Sequence, residues 1–378
     1  MGSRSKRLAS DVPGLWEEYA AWLDGRGIER PRFVIDGRFG VGSFEPDATL
    51  DVLLRRIHAA LPKARVHVVC PGAATIRRRY QLDGRVTAGA ASRPASLRAI
   101  ARCHVYAVGG GDLSLLQTSL TGTAAKVSSR IPRVYLAVLA THARGERSLL
   151  HSVAFSRAPT GVHRAVARRA FQAADVVAAR DSVSLAHLQT IAERGVARVE
   201  HPVLALEADA AEAALEVLQY WGWRADDRPL VALARSPGSP SRVRAVAACA
   251  RHLIEQRGCR VAFLPFDHGE GDHDLAFGRQ VRAELGRGEF FTLVEGAYRP
   301  ARVAALVERS QAVVTTRLEA ALLADRAGIP FVAVTDADDT RAVLAERGRA
   351  ARLVPAVHLV EAGGFEWLDQ RLFQDTPP

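Results

Sequence analysis

Short apolar runs alternate along the chain with longer stretches whose apolar positions recur at helical spacing. That alternation is the pattern of βαβ units feeding a parallel sheet. In the first half it predicts strands at Arg32–Asp36, Arg65–Cys70, Cys103–Gly109, Leu149–Phe155, Val176–Arg180 and Arg198–His201. The segment Leu50–Leu61 puts Leu50, Leu53, Leu54, Ile57 and Leu61 on one face, as a helix lying on a sheet requires. An Ala- and Glu-rich stretch, Glu207–Leu218, reads as a connecting helix, closed by Trp221-Gly222-Trp223 and the polar run Arg224–Arg228. A second series of strands follows at Leu230–Ala234, Arg260–Phe266, Phe291–Glu295, Ala312–Thr316 and Phe331–Thr335. The tail Gly364–Phe373 carries Phe365, Trp367, Leu368, Leu372 and Phe373, and reads as a terminal helix.

The pattern divides the 378 residues into an N-terminal Rossmann-like domain over 1–205, a C-terminal one over 206–350, and a segment over 351–378 that packs back on the body. A chain of this length is too long for one ordinary core and suits two. Two successive open α/β halves of similar size predict the fold class: α/β, two Rossmann-like domains in a GT-B-like arrangement with a cleft between them. In open α/β sheets ligands bind outside the carboxyl ends of the strands. Motifs at those ends, and an active site in the cleft, are therefore the expectation.

Composition adds a bias toward anions. Apolar residues make up 48% and charged residues 24%, ordinary for a folded chain. The formal net charge is +10, which favours phosphates, carboxylates and nucleotides as partners. Preferential use of Arg over Lys explains part of that excess equally well. No basic run is interleaved with aromatics, so nucleic acid is not expected. The four cysteines, Cys70, Cys103, Cys249 and Cys259, contain no CxxC and imply neither a zinc knuckle nor a disulfide framework. No apolar signal core follows the basic start, and no run reaches the ~20 apolar residues of a membrane span, which makes the cytoplasm the expected address.

Five strand ends carry candidate chemistry. Gly109-Gly110-Gly111-Asp112 follows Val105–Val108. Glycines there let backbone amides approach an anion, and Asp112 can orient a hydroxyl or act as base; a tight turn with Asp112 as helix cap fits the same residues. Phe39–Ser43, with Asp47 ahead of the Leu50 helix, is a second ligand loop or an ordinary βα loop. Arg180-Asp181-Ser182 offers a guanidinium for an anion, or an internal Arg–Asp pair. Arg235, before the loop Ser236–Ser241, can clasp a carboxylate or phosphate bidentately, or sit solvated. Thr315-Thr316-Arg317-Leu318-Glu319 places an anion ligand and a proton-transfer group at a strand-to-helix corner, where Glu319 also suits a helix start. The loop Phe266–Asp274 gathers carboxylates and histidines in the manner of a metal site, but without a partner cluster, and no metal is expected.

The order of these elements resembles the polysaccharide pyruvyltransferase family, from about Phe33 to Arg347. The marks are Val108-Gly109-Gly110-Gly111-Asp112-Leu113, the Val176–Arg180 strand with Asp181 and Ser184, the Arg235 strand end, Thr316-Arg317-Leu318, and Ala327-Gly328-Ile329-Pro330-Phe331-Val332-Ala333. The resemblance implies a GT-B-like fold and transfer of a pyruvyl group from phosphoenolpyruvate to a glycan hydroxyl, usually as a ketal. It implies phosphoenolpyruvate as co-substrate with no further cofactor, and a glycan or lipid-linked glycan acceptor for the cell envelope. A lipid-linked acceptor would bring with it peripheral membrane association. In that reading Arg235, Arg317 and Arg180 hold the donor, Glu319 and Asp112 are catalytic, and Gly109, Gly110, Gly111 and Asp47 face the acceptor.

Three places depart from the family pattern. The usual Arg-Leu-His reads Arg317-Leu318-Glu319, the early Asn-x-Gly-Asp core is missing from Gly40–Asp47, and the late Tyr-Asp-x-Lys reads Thr335-Asp336-Ala337-Asp338-Asp339. A glutamate transfers protons but repels phosphate unless protonated. Two further expectations therefore stand beside the first: a GT-B glycosyltransferase using a nucleotide sugar, and a catalytically silent relative that binds a glycan or partner.

Overall fold

The computed structural model describes residues 14–80, 84–109, 130–154, 161–223, 228–235, 240–268, 273–286, 289–358 and 364–374. By internal contacts the chain forms two compact units, Met1–Val41 with Glu45–Ala205, and Gly42–Phe44 with Leu206–Pro378.

The first unit holds a parallel sheet of β1 (Arg32–Asp36), β2 (Arg65–Val69), β3 (Val86–Gly89), β4 (Val105–Gly109), β5 (Arg147–Val153), β6 (Val176–Ala179) and β7 (Ala197–Arg198). Their order across the sheet is β3-β2-β1-β4-β5-β6-β7. The helices are α1 (Leu15–Asp24), α2 (Phe44–Ala60), α3 (Ala73–Arg79), α4 (Pro94–Arg102), α5 (Arg130–Ala143), α6 (Gly161–Ala173) and α7 (Ser182–Ala192). They cover both faces. One face buries Leu50, Leu53 and Ile57 with Trp16 and Tyr19. The other buries Tyr106, Val134, Val138, Phe171 and Leu188.

The second unit repeats the plan. It contains α8 (Ala211–Tyr220), β8 (Leu230–Ala234), α9 (Pro240–Glu255), β9 (Arg260–Phe263), α10 (His273–Leu285), β10 (Phe291–Leu293), α11 (Pro300–Glu308), β11 (Ala312–Thr315), α12 (Leu318–Arg326), β12 (Phe331–Val334), α13 (Asp338–Glu346), β13 (Leu353–Val354) and α14 (Glu366–Asp369). The strands are parallel in the order β10-β9-β8-β11-β12-β13. Every residue of β8, β9, β11 and β12 is buried, as strands covered on both faces demand. Leu368 and Leu372 enter this unit's core, and Asp369 ties the tail down through His252 at 3.0 Å and through Arg257.

The two-unit α/β class read from the sequence is the one observed, and the differences are local. The strands β3 and β13 escape the apolar pattern because both lie at sheet edges, and β13 has only two residues. The first long helix starts at Phe44 rather than Leu50. Pro46 does not stop it, because proline is tolerated in a first helical turn. Asp47 therefore sits inside the helix, not in a loop ahead of it. The tail is helical as expected, an α-helical turn over Glu366–Asp369 continuing as a π-helix over Gln370–Gln374. All four cysteines are buried and none is in a disulfide.

The loop after β1 is held by a backbone contact. Gly40 has φ +71°, and a Cβ built on it would meet the Gly72 carbonyl oxygen at 2.4 Å. Its amide donates to Asp47 Oδ1 at 2.7 Å. Gly40→Ala is expected to destabilise the protein by about 1–3 kcal/mol, seen as a lower urea midpoint at unchanged slope.

Candidate functional site

In a doubly wound sheet, the strand order reverses between two neighbours whose outgoing loops part in opposite directions, opening a crevice at their carboxyl ends. In the second unit those neighbours are β8 and β11. Their register sets Thr315 beside Ala234. Arg235 leaves one strand and Thr316-Arg317 leaves the other at that point.

The Thr315 hydroxyl fastens the corner. It donates to the Ala234 carbonyl at 2.7 Å and accepts from the Arg317 amide at 2.8 Å. A small pocket lies there, lined mainly by apolar side chains, Leu233, Val246, Val314 and Val334, with Arg235 and Thr316 at its polar end. Arg235 is 5% exposed, and its Nε and Nη1 have no hydrogen-bond partner among the described residues. Burial and the nearby Arg242 push its pKa down to about 10. A buried cation with no counter-charge is a costly arrangement, and an incoming anion relieves it.

Arg317 is placed differently. Its guanidinium is paired with Asp274 at the start of α10, with Asp267 farther off at 4.0 Å. Asp274 is fully buried and also accepts from the Phe266 and Asp267 amides, each at 3.1 Å. Burial raises the Asp274 pKa, against the pull of Arg317. Arg317 Nε is buried and has no hydrogen-bond partner among the described residues. Glu319 lies half-buried in the first turn of α12, where an acid is favoured by the helix dipole. Among the described residues no group of three or more His, Cys, Asp or Glu is placed to hold a metal ion.

The corresponding reversal in the first unit lies between β1 and β4. Asp36, fully buried at the end of β1, accepts from the Tyr106 hydroxyl and from Arg133, both at 2.9 Å. Gly109 ends β4, and a Cβ there would meet Leu53 Cδ1 at 2.8 Å. This glycine leaves room for the Leu53 side chain of helix α2. Gly110, Gly111 and Asp112 lie outside the described residues.

Two expected ligands in this unit already have protein partners. Asp47 holds the Gly40 amide and an ion pair with Arg79 at 2.9 Å, so its carboxylate is committed to the fold. Arg180 pairs with Glu45 at 2.7 Å and Asp181 at 3.0 Å. Burial opposes its charge, but the two carboxylates outweigh that and raise its pKa. Asp181 also caps α7 through the Ser184 amide at 2.7 Å.

One group was missed in the sequence. His151 pairs with Gly109 in the ladder and is 2% exposed, and neither ring nitrogen has a partner among the described residues. The next residue, Ser152, has φ +52° where the register between β5 and β6 shifts, and its hydroxyl is also unpartnered. A bulge with a non-glycine residue in the left-handed region stores strain, and such places recur near active sites. The available signal was a His-Ser pair set between the apolar Leu149-Leu150 and Val153 of the strand.

A family model for polysaccharide pyruvyl transferase matches residues 47–338. No curated protein sequence matches the chain. Among solved structures, UDP-GlcNAc 2-epimerase from Methanocaldococcus jannaschii is similar over 92% of this chain and 94% of its own, with TM-score 0.57 and 12% identity. UDP-GlcNAc 2-epimerase from Neisseria meningitidis, bound to UDP-GlcNAc, is similar over 90% of this chain and 91% of its own, with TM-score 0.53 and 12% identity. At such identities the likeness is one of fold.

Burial pushes the His151 pKa down to about 3 from an ordinary 6.5. The unfolded chain therefore takes up a proton below pH 6.5 that the native state refuses, and stability falls as pH drops from 6.5 toward 3. Urea unfolding should show His151→Leu at least as stable as wild type at pH 7. The variant should lose less stability than wild type on going to pH 5, by up to about 1.4 kcal/mol per pH unit.

Proposed function

Since the chain belongs to the polysaccharide pyruvyl transferase family, we propose that it transfers a pyruvyl group from phosphoenolpyruvate to a glycan or glycosylated intermediate in the cytoplasm. The observation that carries this reading is the buried Arg235 guanidinium, without a carboxylate partner among the described residues, at the crevice between β8 and β11. Phosphoenolpyruvate has a carboxylate and a phosphate, and a planar guanidinium binds either one bidentately.

In this reading Arg235 is the primary anion ligand. Arg317, oriented by Asp274, offers its remaining Nε–H from the neighbouring strand end. Arg180 is held by two carboxylates and acts as a fixed structural cation rather than a donor clamp. Glu319, protonated, delivers a proton to the methylene carbon, which becomes a methyl group. One acceptor hydroxyl oxygen bonds to the central carbon and gives up its proton. Phosphate leaves with the electron pair of its C–O bond, and a second glycan hydroxyl closes the ketal with loss of its own proton. Asp112 serves as the base on the acceptor side. This role requires Glu319 to be protonated in the complex, because an ionised carboxylate would repel the phosphate.

The test is a thermal-shift series with phosphoenolpyruvate, UDP and UDP-GlcNAc. A ligand that binds only the native state raises its stability by mass action. Phosphoenolpyruvate at 100 times its Kd should add about 2.7 kcal/mol, or about 2–4 °C in Tm per kcal/mol. Arg235→Met should abolish that shift while leaving the ligand-free Tm equal or higher, because an uncompensated buried charge is replaced by an apolar chain. A shift with UDP or UDP-GlcNAc and none with phosphoenolpyruvate would make the chain a nucleotide-sugar enzyme. No shift with any of the three would leave a silent relative.

A further inference from the structure

The net charge is unevenly distributed. Residues 1–205 contain 30 Lys and Arg against 16 Asp and Glu, whereas residues 206–378 contain 21 against 25. The first part is thus +14 and the second −4. Within the first unit the excess concentrates on one layer of helices. Helix α4 packs on α5, α5 on α6, and α6 on α7, and the four share one core cluster against the sheet. None of these helices contains an Asp or Glu. Their exposed residues include Arg98, Arg102, Arg164, Arg168 and Arg169, with Arg93 just ahead of α4. Arg168 has a surface pair with Glu193 at 3.0 Å; Arg93, Arg98, Arg102 and Arg169 have no carboxylate partner among the described residues.

The same layer exposes aliphatic side chains. Among the described residues the exposed large hydrophobics are Leu97, Leu136, Val183, Tyr220 and Val357. The first three lie on α4, α5 and α7. Leu97 is 54% and Leu136 is 61% exposed, on two helices that touch. A surface of helices that carry arginines and no carboxylate of their own, with Glu193 at its edge and leucines protruding, matches the two components of an anionic bilayer. The arginines meet lipid phosphates, and the leucines reach the acyl boundary. A nucleic acid would use the arginines but gain little from aliphatic chains, and its usual stacking partners, exposed aromatic side chains, are absent from the described residues of these helices.

We propose that the face formed by α4, α5, α6 and α7 docks the protein on the surface of an anionic phospholipid membrane. This inference does not depend on the donor chemistry. It concerns a surface of the first unit, and it deepens the reading only by placing the enzyme where a lipid-linked glycan would be found.

Vesicle co-sedimentation of the full chain tests it. Phosphatidylcholine vesicles containing phosphatidylglycerol should retain the protein, pure phosphatidylcholine should not, and added salt should weaken binding. The triple variant Arg98→Glu, Arg102→Glu, Arg169→Glu should bind at least about 100-fold more weakly, at about fivefold or more per arginine. The pair Leu97→Ser, Leu136→Ser should lose about 10-fold or more. Arg341→Glu, an exposed change in the second unit, should behave as wild type. Thermal melts and the phosphoenolpyruvate shift identify any variant that has lost its fold or its donor site. The proposal is overturned by equal retention on neutral vesicles or by no retention on anionic ones. It is overturned too if the leucine pair binds as wild type while duplex DNA competes the protein off the vesicles.

Discussion

Each sheet here is parallel and covered on both faces by helices, and that constraint governs where charge can sit. A strand such as Leu230–Ala234 has no face open to water. Polar side chains are therefore excluded along its length and collect where the ladder ends. At β8 and β11 the change is abrupt: Ala234 gives way to Arg235, and Thr315 to Thr316 and Arg317. Thr315 Oγ1 makes the transition orderly: it adds a second donor to the Ala234 carbonyl, which still accepts from the Thr316 amide, and it accepts from the Arg317 amide beyond the ladder. The positions of two arginines thus follow from backbone hydrogen bonding before any ligand is considered.

The three candidate arginines separate by their counter-charges. Arg180 has Glu45 and Asp181, and Arg317 has Asp274, whereas Arg235 has no carboxylate partner among the described residues. Removing a counter-charge from a buried ion typically costs about 3–5 kcal/mol. The paired arginines are oriented and neutralised, which suits them to holding shape. The same comparison applies on the outer helices of the first unit, where arginines without carboxylates gather around exposed leucines.

Much of the architecture was legible from apolar periodicity alone. Both strand series, the two-unit division and the strand-end location of Arg235, Arg317 and Glu319 follow from runs such as Val105–Val108 and Ala312–Val314, because a buried strand must be apolar on both sides. Edge strands such as Val86–Gly89 were not legible, since an edge needs little burial. The start of α2 was not legible because its first turn, Phe44-Glu45-Pro46-Asp47, has the composition of a loop.

The chemistry of individual side chains was decided by tertiary contact. Sequence presents Asp47, Arg180, Arg235 and Arg317 as equivalent polar residues near strand ends. Which of them is neutralised depends on Gly40 and Arg79, on Glu45, and on Asp274, groups brought together only by the packing of separate elements. The strain at Ser152 and the isolation of His151 likewise arise from a register shift between two strands. Local pattern determines which segments fold into strands and helices, because burial and backbone hydrogen bonding act on every residue of a run. The free energy of one charge depends on the few ångströms around it, and only the folded chain sets those.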